Sequence, residues 1–217
     1  TSSVNYMLAD GFLRALGSDR IYNVLTLEFT NRYLVMEKMY GKQFYVTQPD
    51  LDRTDCLLIF GTNPMVSLDH PGIVASLKAL KQRGAKLIVV DPREIGMTRF
   101  ATHWLRQRSG SDVAWINGMM HVIIAEDLYD KTFVEKRTEG FEELKKIVSN
   151  YTPDYVESIT GTPAEELAAA ARLYATAKAA SILYCMGITQ HSHGTDNVKS
   201  LANLAMLCGH MGKPGTG

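Results

Sequence analysis

Short, nearly continuous apolar runs alternate along this chain with longer segments in which apolar residues recur every three or four positions. Cys56–Phe60, Lys86–Val90 and Ser181–Cys185 are runs of strand length. Strands without a polar face are typical of parallel sheets that are covered on both sides. A shorter run, His103–Arg106, predicts one further strand.

The segments between these runs predict helices, because their apolar spacing places one stripe of side chains on a helical face. Glycine or proline marks several of the predicted ends. The predicted helices are Val4–Leu16, ended by Gly17, with Leu8, Phe12, Leu13 and Leu16 on one side; Asn31–Tyr40, ended by Gly41; a helix from Pro71 to Gly84; a short helix near Ile95–Phe100; and Asn197–Leu207.

Hydroxyl residues predict further helix starts. Thr152 and Thr162 each precede a proline, and Glu165 completes a predicted capping box on a helix that runs to about Ala177. Ser111 is expected to cap a long helix through its side chain. The inner face of that long helix is predicted to hold Val113, Ile116, Met120, Ile123 and Ile124.

The order of these elements is strand, helix, strand, helix, strand. That order predicts an α/β fold with three αβα layers and an open, mostly parallel, Rossmann-like sheet. Sheets of this kind hold their ligands at the carboxyl ends of the strands. The residues that follow each strand are therefore the first candidates for a binding site.

Composition and charge narrow the function classes. Lysine plus arginine and aspartate plus glutamate number 23 each among the 217 residues, so the formal net charge is zero. A chain without excess positive charge is not expected to bind nucleic acid through its bulk charge. No apolar run approaches the roughly 18 residues that a membrane-spanning helix needs, so no membrane span is expected.

The cysteines indicate the compartment and exclude two kinds of metal site. Cys56, Cys185 and Cys208 are scattered in apolar stretches, and no pair has the CxxC spacing. Neither a zinc ribbon nor an iron–sulfur cluster can therefore be built from this sequence. Unpaired cysteines and an N-terminus without a signal-peptide pattern are typical of the cytoplasm, which is the predicted location.

Two predicted strands are followed by residues suited to a ligand. Gly61, Thr62 and Asn63 follow the first strand; glycine permits a tight turn and close approach of a ligand, although an ordinary turn explains the same residues. Asp91 and Arg93 follow the second strand, where an acidic residue can hold ribose hydroxyls and arginine a phosphate. A strand end followed by a helix cap is the alternative interpretation there.

Gly110 and Asp112 follow the third predicted strand at a helix N-terminus. The exposed N–H groups of that terminus can bind an anion, and the carboxylate of Asp112 can instead accept two hydrogen bonds from a guanine edge. A helix cap with a favourable charge is also a sufficient explanation. All three interpretations remain open from the residues alone.

The last predicted strand precedes a polar, glycine-bounded loop that carries His191 and His193. Two histidines alone make a poor metal site, and no nearby cysteine or carboxylate is expected to complete it, so hydrogen bonding to a polar heterocycle is favoured over a metal. The chain has neither a GxGxxG fingerprint nor a Walker loop, and no catalytic triad or carboxylate pair stands out. No catalytic residue is therefore assigned.

These motifs, in this order, resemble the molybdopterin oxidoreductases of the dimethyl-sulfoxide-reductase superfamily, and within it the catalytic subunits of formate dehydrogenases. The resemblance covers roughly residues 50–217. Its most specific parts are the final loop and the Leu204–Gly209 run. The segments that carry it are Asp52–Pro64, Ala85–Arg93, Arg108–Asp112, His121–Lys131, Arg137–Glu143, Met186–Gly194 and Asn203–Gly217.

The resemblance implies a molybdenum or tungsten ion bound by two molybdopterin guanine dinucleotides, each held by one α/β domain. It implies that Gly61, Thr62 and Asn63 approach the dinucleotide phosphates. The other implied roles are ribose and phosphate contacts for Asp91 and Arg93, the guanine pocket for Gly110 and Asp112, and proximity to the pterin for Met186, Gly187, Gln190 and His191.

The resemblance also implies a larger enzyme around this chain. Residues 1–217 would form a single cofactor-binding domain of a multidomain subunit, and residues 1–50 are compatible with part of a neighbouring lobe. The implied partners are the other domains of the subunit and an electron-transfer iron–sulfur subunit. A 4Fe-4S cluster is expected outside residues 1–217. The implied reaction is a formate-dehydrogenase-like two-electron oxidation of a small substrate.

One departure from the family concerns the metal ligand. Formate dehydrogenases place cysteine or selenocysteine, followed by histidine, where this chain has Glu28 and Phe29. A carboxylate is a suitable ligand for a hard metal ion, so Glu28 is the candidate metal ligand. The absent Cys–His pair supports an alternative function, a non-catalytic nucleotide-binding or assembly module that retains the fold.

Overall fold

The computed structural model describes residues 3–22, 25–43, 47–67 and 72–217. Within these residues the strands are β1 (Cys56–Phe60), β2 (Lys86–Val90), β3 (His103–Leu105) and β4 (Ala180–Tyr184). The described helices are α1 Ser3–Ala15, α2 Leu25–Tyr40, α3 Ile73–Gln82, α4 Asp112–Ala125, α5 Lys131–Arg137, α6 Phe141–Val148, α7 Pro153–Thr160, α8 Ala164–Ala175, α9 Met186–Thr189 and α10 Gly194–Leu207, with a 3-10 turn at Thr98–Phe100.

The four strands form one sheet in the order β3-β2-β1-β4, and every neighbouring pair is parallel. Cys56 pairs with Lys86 on one side of β1 and with Ala180 on the other. The predicted α/β class with an open parallel sheet is confirmed. Because all strands run the same way, their carboxyl ends lie along one edge of the sheet.

Both faces of the sheet are buried, which explains the nearly continuous apolar strands. Leu58 and Phe60 of β1 point into the larger core, whereas Leu57 and Ile59 point into the smaller one. The larger core lies mainly under α4, α8 and α10, and α3 covers the smaller core. The three-layer arrangement follows directly from the period of two along each strand.

Helix α4 differs from its prediction. Its buried residues are not confined to one stripe, since Ala114, Asn117 and Met119 are buried as well as Ile116 and Met120. The reason is that α4 packs against α6, α7, α8 and α10 at once. A helix enclosed on nearly all sides loses its amphipathic pattern.

Two predicted helix caps are wrong, and one is confirmed. The Thr152 hydroxyl accepts a hydrogen bond from Tyr155 N, as expected for the start of α7. Thr162 instead donates to the Arg106 carbonyl, and α8 is capped by Glu157, whose Oε2 accepts from Ala164 N at 2.9 Å.

The Ser111 hydroxyl donates to Arg108 O at 2.6 Å and makes no cap bond to α4. Its backbone nevertheless occupies the capping position. The cap prediction therefore found the start of α4 but not the hydrogen bond.

The other differences concern the ends of elements. Helix α2 begins at Leu25, earlier than the predicted Asn31, and α9 occupies Met186–Thr189, where a loop was expected. Pro71 lies outside the described residues, and its place at the start of α3 stays a prediction. Of the predicted apolar residues, Leu8 and Phe12 in α1 and Leu16 just beyond its end are exposed. Among the helices that the structure describes, none combines the length and the apolar character needed to cross a bilayer.

Candidate functional site

A cavity of about 310 Å³ lies at the carboxyl edge of the sheet, where β1, β2 and β3 end beside α9. Most of its walls are short turns that directly follow strands. Its lining residues are Gly61, Thr62, Asn63, Val90, Asp91, Pro92, Arg93, Gln107, Ser109, Gly110, Asp112, Gly187 and His191.

The cavity brings together all the predicted cofactor-binding residues except Met186 and Gln190. Met186 is exposed on α9 and lines a separate pocket of about 40 Å³ together with Phe29 and Arg32. Gln190 ends α9 and is exposed. The strand-end rule therefore located one cavity, whereas Met186 and Gln190, which were assigned by resemblance, lie outside it.

Gly61 and Gly187 hold the β1 turn against α9. Gly187 N donates to Gly61 O at 2.9 Å, and a Cβ on Gly187 would lie 2.5 Å from that same oxygen. Gly61 has a φ of 61°, a left-handed conformation that favours glycine. These two glycines let the backbone after β1 contact the backbone of α9 directly. The fold requires this contact, and binding of a ligand in the cavity would require it as well.

Asn63 belongs to the same turn after β1. Its backbone carbonyl accepts from Val66 N at 2.9 Å and from Ser67 N at 3.0 Å, which fixes the backbone after β1. Its side-chain Oδ1 is buried and has no hydrogen-bond partner among the described residues. A buried amide oxygen without a partner is one sign that the cavity accepts a polar ligand.

The turn after β2 is built by Asp91. Its Oδ1 accepts from Arg93 N at 2.8 Å, which closes a turn over Pro92. Its carbonyl accepts from Trp104 Nε1 at 3.0 Å, which ties the turn to β3. The Arg93 side chain is exposed at the rim of the cavity. One carboxylate oxygen of Asp91 is thus committed to the turn.

Gln107 is the site residue that the sequence analysis missed. It is buried just beyond β3, lines the cavity and donates from Nε2 to Asp112 Oδ1 at 2.8 Å. Both Gln107 Oε1 and Asp112 Oδ2 are buried without a hydrogen-bond partner in the described part of the chain. The rule that selected Asp91, a polar residue just after a strand, also points to Gln107.

The charge state of Asp112 reflects its burial. Burial raises the pKa of Asp112 above its ordinary value of 3.8. The neighbouring His191 and the hydrogen bond from Gln107 act in the opposite direction, because each favours the ionised carboxylate. The helix N-terminus at Asp112 also favours negative charge.

The two histidines of the α9–α10 loop stand beside Asp112. The expectation that no carboxylate lies near them is wrong, since His191 Nε2 lies 3.7 Å from Asp112 Oδ2 and donor atoms of His191, His193 and Asp112 fall within 4.8 Å of one another. His191 Nε2 donates to Gly187 O at 2.8 Å. That nitrogen therefore carries a proton, and the two imidazoles flank the buried carboxylate without a direct hydrogen bond to its Oδ2.

Glu28, the candidate metal ligand, lies in α2, but its side chain falls outside the described residues. Its assignment as a ligand stays a prediction. Arg32, one turn further along α2, donates from Nη2 to Thr47 O at 3.1 Å and lies over the Tyr184 ring at 5.9 Å. The region in which Glu28 lies thus borders the end of β4.

Comparison with known protein families identifies the family to which this chain belongs. The family model for molybdopterin oxidoreductases matches residues 1–217. This chain belongs to the molybdopterin oxidoreductase family. The resemblance inferred from the sequence is confirmed, and membership implies a molybdopterin cofactor with molybdenum or tungsten.

Individual relatives agree with this assignment. The chain is 51% identical over 168 residues to formate dehydrogenase H of Escherichia coli, covering 77% of this chain and 23% of that protein. It is 40% identical over 218 residues to the F420-dependent formate dehydrogenase subunit alpha of Methanocaldococcus jannaschii, covering 100% of this chain and 32% of that protein. The chain thus spans 23% and 32% of the length of these two relatives.

A solved structure supports the fold. Acetylene hydratase from Pelobacter acetylenicus superposes with a TM-score of 0.83 at 33% identity, covering 94% of this chain and 28% of the hydratase. Proteins named for different reactions therefore share this lobe. The reaction must be inferred from the site and tested, because a fold alone does not determine it.

Proposed function

We propose that residues 1–217 form a lobe that binds one molybdopterin guanine dinucleotide of a molybdenum or tungsten oxidoreductase. The observation that carries this proposal is the cavity at the carboxyl edge of the sheet, in which buried, unpartnered side-chain oxygens face the same space as the strand-end turns. Family membership supplies the identity of the cofactor. The single-domain organisation of residues 1–217 is part of the proposal.

The chemistry of the cavity fits a dinucleotide in three respects. Its volume of about 310 Å³ suits a nucleoside phosphate, which extends out through an open side. Arg93 at the rim supplies a guanidinium for a phosphate group. The second oxygen of Asp91 is placed for ribose hydroxyls, and Asn63 offers an amide beside the turn after β1.

The residues of this lobe bind and orient; the bound metal supplies the two-electron redox chemistry. Gly61 and Gly187 bring the turn after β1 close to α9, so that a ligand in the cavity also meets the first turn of α9. We propose that Met186 in α9 and Gln190 directly after it, with Glu28 in α2, face the pterin and metal end of the cofactor. His191 links the two regions through Gly187 and Asp112.

The proposed activity of the whole protein is a two-electron oxidation of a small substrate such as formate. The names of the relatives, formate dehydrogenase H and an F420-dependent formate dehydrogenase subunit alpha, favour formate. We propose that the whole protein also contains further domains of the subunit, a second dinucleotide and a 4Fe-4S cluster. A partner iron–sulfur subunit is proposed to bind it. A lobe of this kind holds only part of the cofactor and is expected to be inactive by itself.

The test is cofactor analysis of the full-length protein purified with its metal. We expect molybdenum or tungsten, pterin and GMP released by acid hydrolysis in a fixed ratio. Arg93→Ala should reduce pterin and metal content together, while Lys145→Ala, exposed on α6 and remote from the cavity, should not. A full-length protein that stably lacks both pterin and metal would contradict the proposal. Guanine nucleotide binding without pterin would favour the alternative, a non-catalytic nucleotide-binding module.

A further inference from the structure

Three side chains of the kinds that bind transition metals meet at the carboxyl edge of the sheet. They are Asp112, the first residue of α4, and His191 and His193, which lie between α9 and α10. A donor atom from each lies within 4.8 Å of the donor atoms of the other two. Two imidazoles and one carboxylate form a ligand set that suits zinc in proteins. Within the described part of the chain, no other three such side chains come this close together.

The carboxylate of this cluster has one oxygen without a partner. Asp112 is only 4% exposed, and its Oδ2 accepts no hydrogen bond from the described residues. Its other oxygen, Oδ1, accepts from Gln107 Nε2 at 2.8 Å, which fixes the orientation of the carboxylate. Carboxylates that bind metals are held by hydrogen bonds in the same way. A buried, unpartnered oxygen is unfavourable, and a cation beside Oδ2 would remove that cost.

The spacing of Asp112 and His191 fits a shared ion better than a direct bond. His191 Nε2 lies 3.7 Å from Asp112 Oδ2, which exceeds hydrogen-bond distance. Two ligands of one tetrahedral zinc ion, each bound at about 2.0 Å, lie about 3.3 Å apart. Nε2 donates to Gly187 O in this structure. When the ion binds, the ring proton moves from Nε2 to Nδ1 and the ring stays neutral, so a hydrogen bond is exchanged for a metal bond.

His193 can turn toward the ion, because its ring is only half-buried and weakly held. The ring lies 5.3 Å from the His191 ring, centroid to centroid, and its Nδ1 makes a long contact of 3.4 Å with Ser192 Oγ. The backbone that carries both histidines is fixed. Gly194 N donates to His191 O at 3.0 Å, and Gly194 packs so closely on Thr189 O that no side chain would fit. The histidines are thus positioned by the fold before any ion binds.

We propose that the cofactor-free lobe binds one zinc ion through Asp112, His191 and His193, with water at the fourth position. This ion is distinct from the molybdenum or tungsten of the proposed cofactor. Asp112 and His191 also line the cavity in which the dinucleotide is proposed to bind, so the ion and the dinucleotide exclude each other. The zinc site rests on the cluster itself, and only the exclusion rests on the proposed function.

Equilibrium dialysis against buffered Zn²⁺, with bound metal measured by atomic absorption, tests the site. The full-length protein is produced in a host that makes no molybdopterin. His193→Gln and Asp112→Asn each remove one ligand, so each should weaken the binding of one zinc ion per chain at least about 10-fold. Asp112→Asn can still accept from Gln107, so it is expected to fold. Zinc bound by cysteines elsewhere in the protein is the same in all variants and cancels in the difference.

His103→Gln is the matched control, because His103 is paired with Glu166 and is not part of the cluster. It should bind zinc as the parent protein does. Equal zinc binding by the parent, His193→Gln and Asp112→Asn would overturn the inference and leave the dinucleotide-binding function intact.

The same dialysis of cofactor-loaded protein tests the exclusion. We expect the zinc ion that depends on His193 in the cofactor-free protein, and its loss from the loaded protein. A His193-dependent zinc ion that remains in the loaded protein would support the metal site and contradict the placement of the dinucleotide in this cavity.

Discussion

Gln107 donates a hydrogen bond of 2.8 Å to Asp112 across the end of β3, and the two side chains leave one oxygen each facing the same cavity. The bond joins a residue two positions beyond β3 to the first residue of α4. It places a buried negative charge at a helix N-terminus, where backbone N–H groups stabilise it. Asp112 therefore contributes both to the binding cavity and to the stability of the fold.

The first prediction separates these two roles of Asp112. Burial raises its pKa, so the folded state binds the proton more tightly than the unfolded state does. The free energy of unfolding therefore decreases as the pH rises from 3.8, the ordinary pKa of the carboxyl group, through the raised pKa of Asp112. Above that range it stays at the lower value. Asp112→Asn cannot ionise and still accepts from Gln107. At pH 7 it should be as stable as the parent protein or more stable.

Urea unfolding at several pH values between 4 and 8 checks this prediction. The stability of Asp112→Asn relative to the parent should increase with pH. Asp112→Ala is the control, because it leaves Gln107 Nε2 without an acceptor and should lose about 1–3 kcal/mol. A loss of stability in Asp112→Asn as large as that of Asp112→Ala would show that the carboxylate itself stabilises the fold.

The second prediction concerns the contact between Gly61 and Gly187. A Cβ on Gly187 would lie 2.5 Å from Gly61 O and 2.7 Å from its Cα, and neither backbone atom can move without shifting β1 or α9. Gly187→Ala should therefore reduce the free energy of unfolding by about 1–3 kcal/mol and weaken nucleotide binding. Gly11→Ala is the control, because that helical glycine has open space around it. The control should be neutral or slightly stabilising, and equal losses in both variants would contradict the steric explanation.

The sheet, its strand direction and the position of the cavity were all predictable from the sequence. Apolar strands such as Cys56–Phe60 require cover on both faces, and parallel strands bring their following turns to one edge. Asp91 and Asp112 could be chosen on that basis without any structure. These features depend on local pattern, which a sequence contains.

Features that depend on distant contacts were missed. Asp112 and His191 are far apart in the sequence, so only the folded chain shows that a carboxylate stands beside the histidines. Helix α9 has only four residues, too few to show a periodic pattern. The Thr162 cap failed because Thr162 is fully buried and its hydroxyl is directed to the Arg106 carbonyl.

The third prediction follows from that failed cap. Helix α8 is capped by Glu157 from the preceding helix, through the bond from Ala164 N at 2.9 Å. Glu157→Ala should lower the free energy of unfolding by about 1 kcal/mol, the usual effect of losing a cap. Glu165→Ala should cost only a few tenths of a kcal/mol, because Glu165 is not part of the cap. A larger loss of thermal stability in Glu165→Ala than in Glu157→Ala would instead support the capping box predicted from the sequence.

The fourth prediction concerns His210, which is 2% exposed and donates from Nε2 to Tyr174 O at 3.1 Å. Burial lowers its pKa from 6.5 to about 4, so the folded protein holds it neutral while the unfolded chain protonates it below 6.5. Stability should consequently fall as the pH falls from about 6.5 to about 4, by about 3 kcal/mol in total for this group. His210→Gln keeps a donor for Tyr174 O and has no charge to gain.

The difference in unfolding free energy between the parent protein and His210→Gln measures this effect directly. The parent should lose more stability than the variant between pH 6.5 and pH 4, although Asp112 titrates in both proteins with the opposite sign. His103→Gln is the control, because His103 is only partly buried and is paired with Glu166 at the surface. Parallel pH profiles for the parent and His210→Gln would mean that His210 is protonated without cost in the folded state, and that its surroundings are open to water.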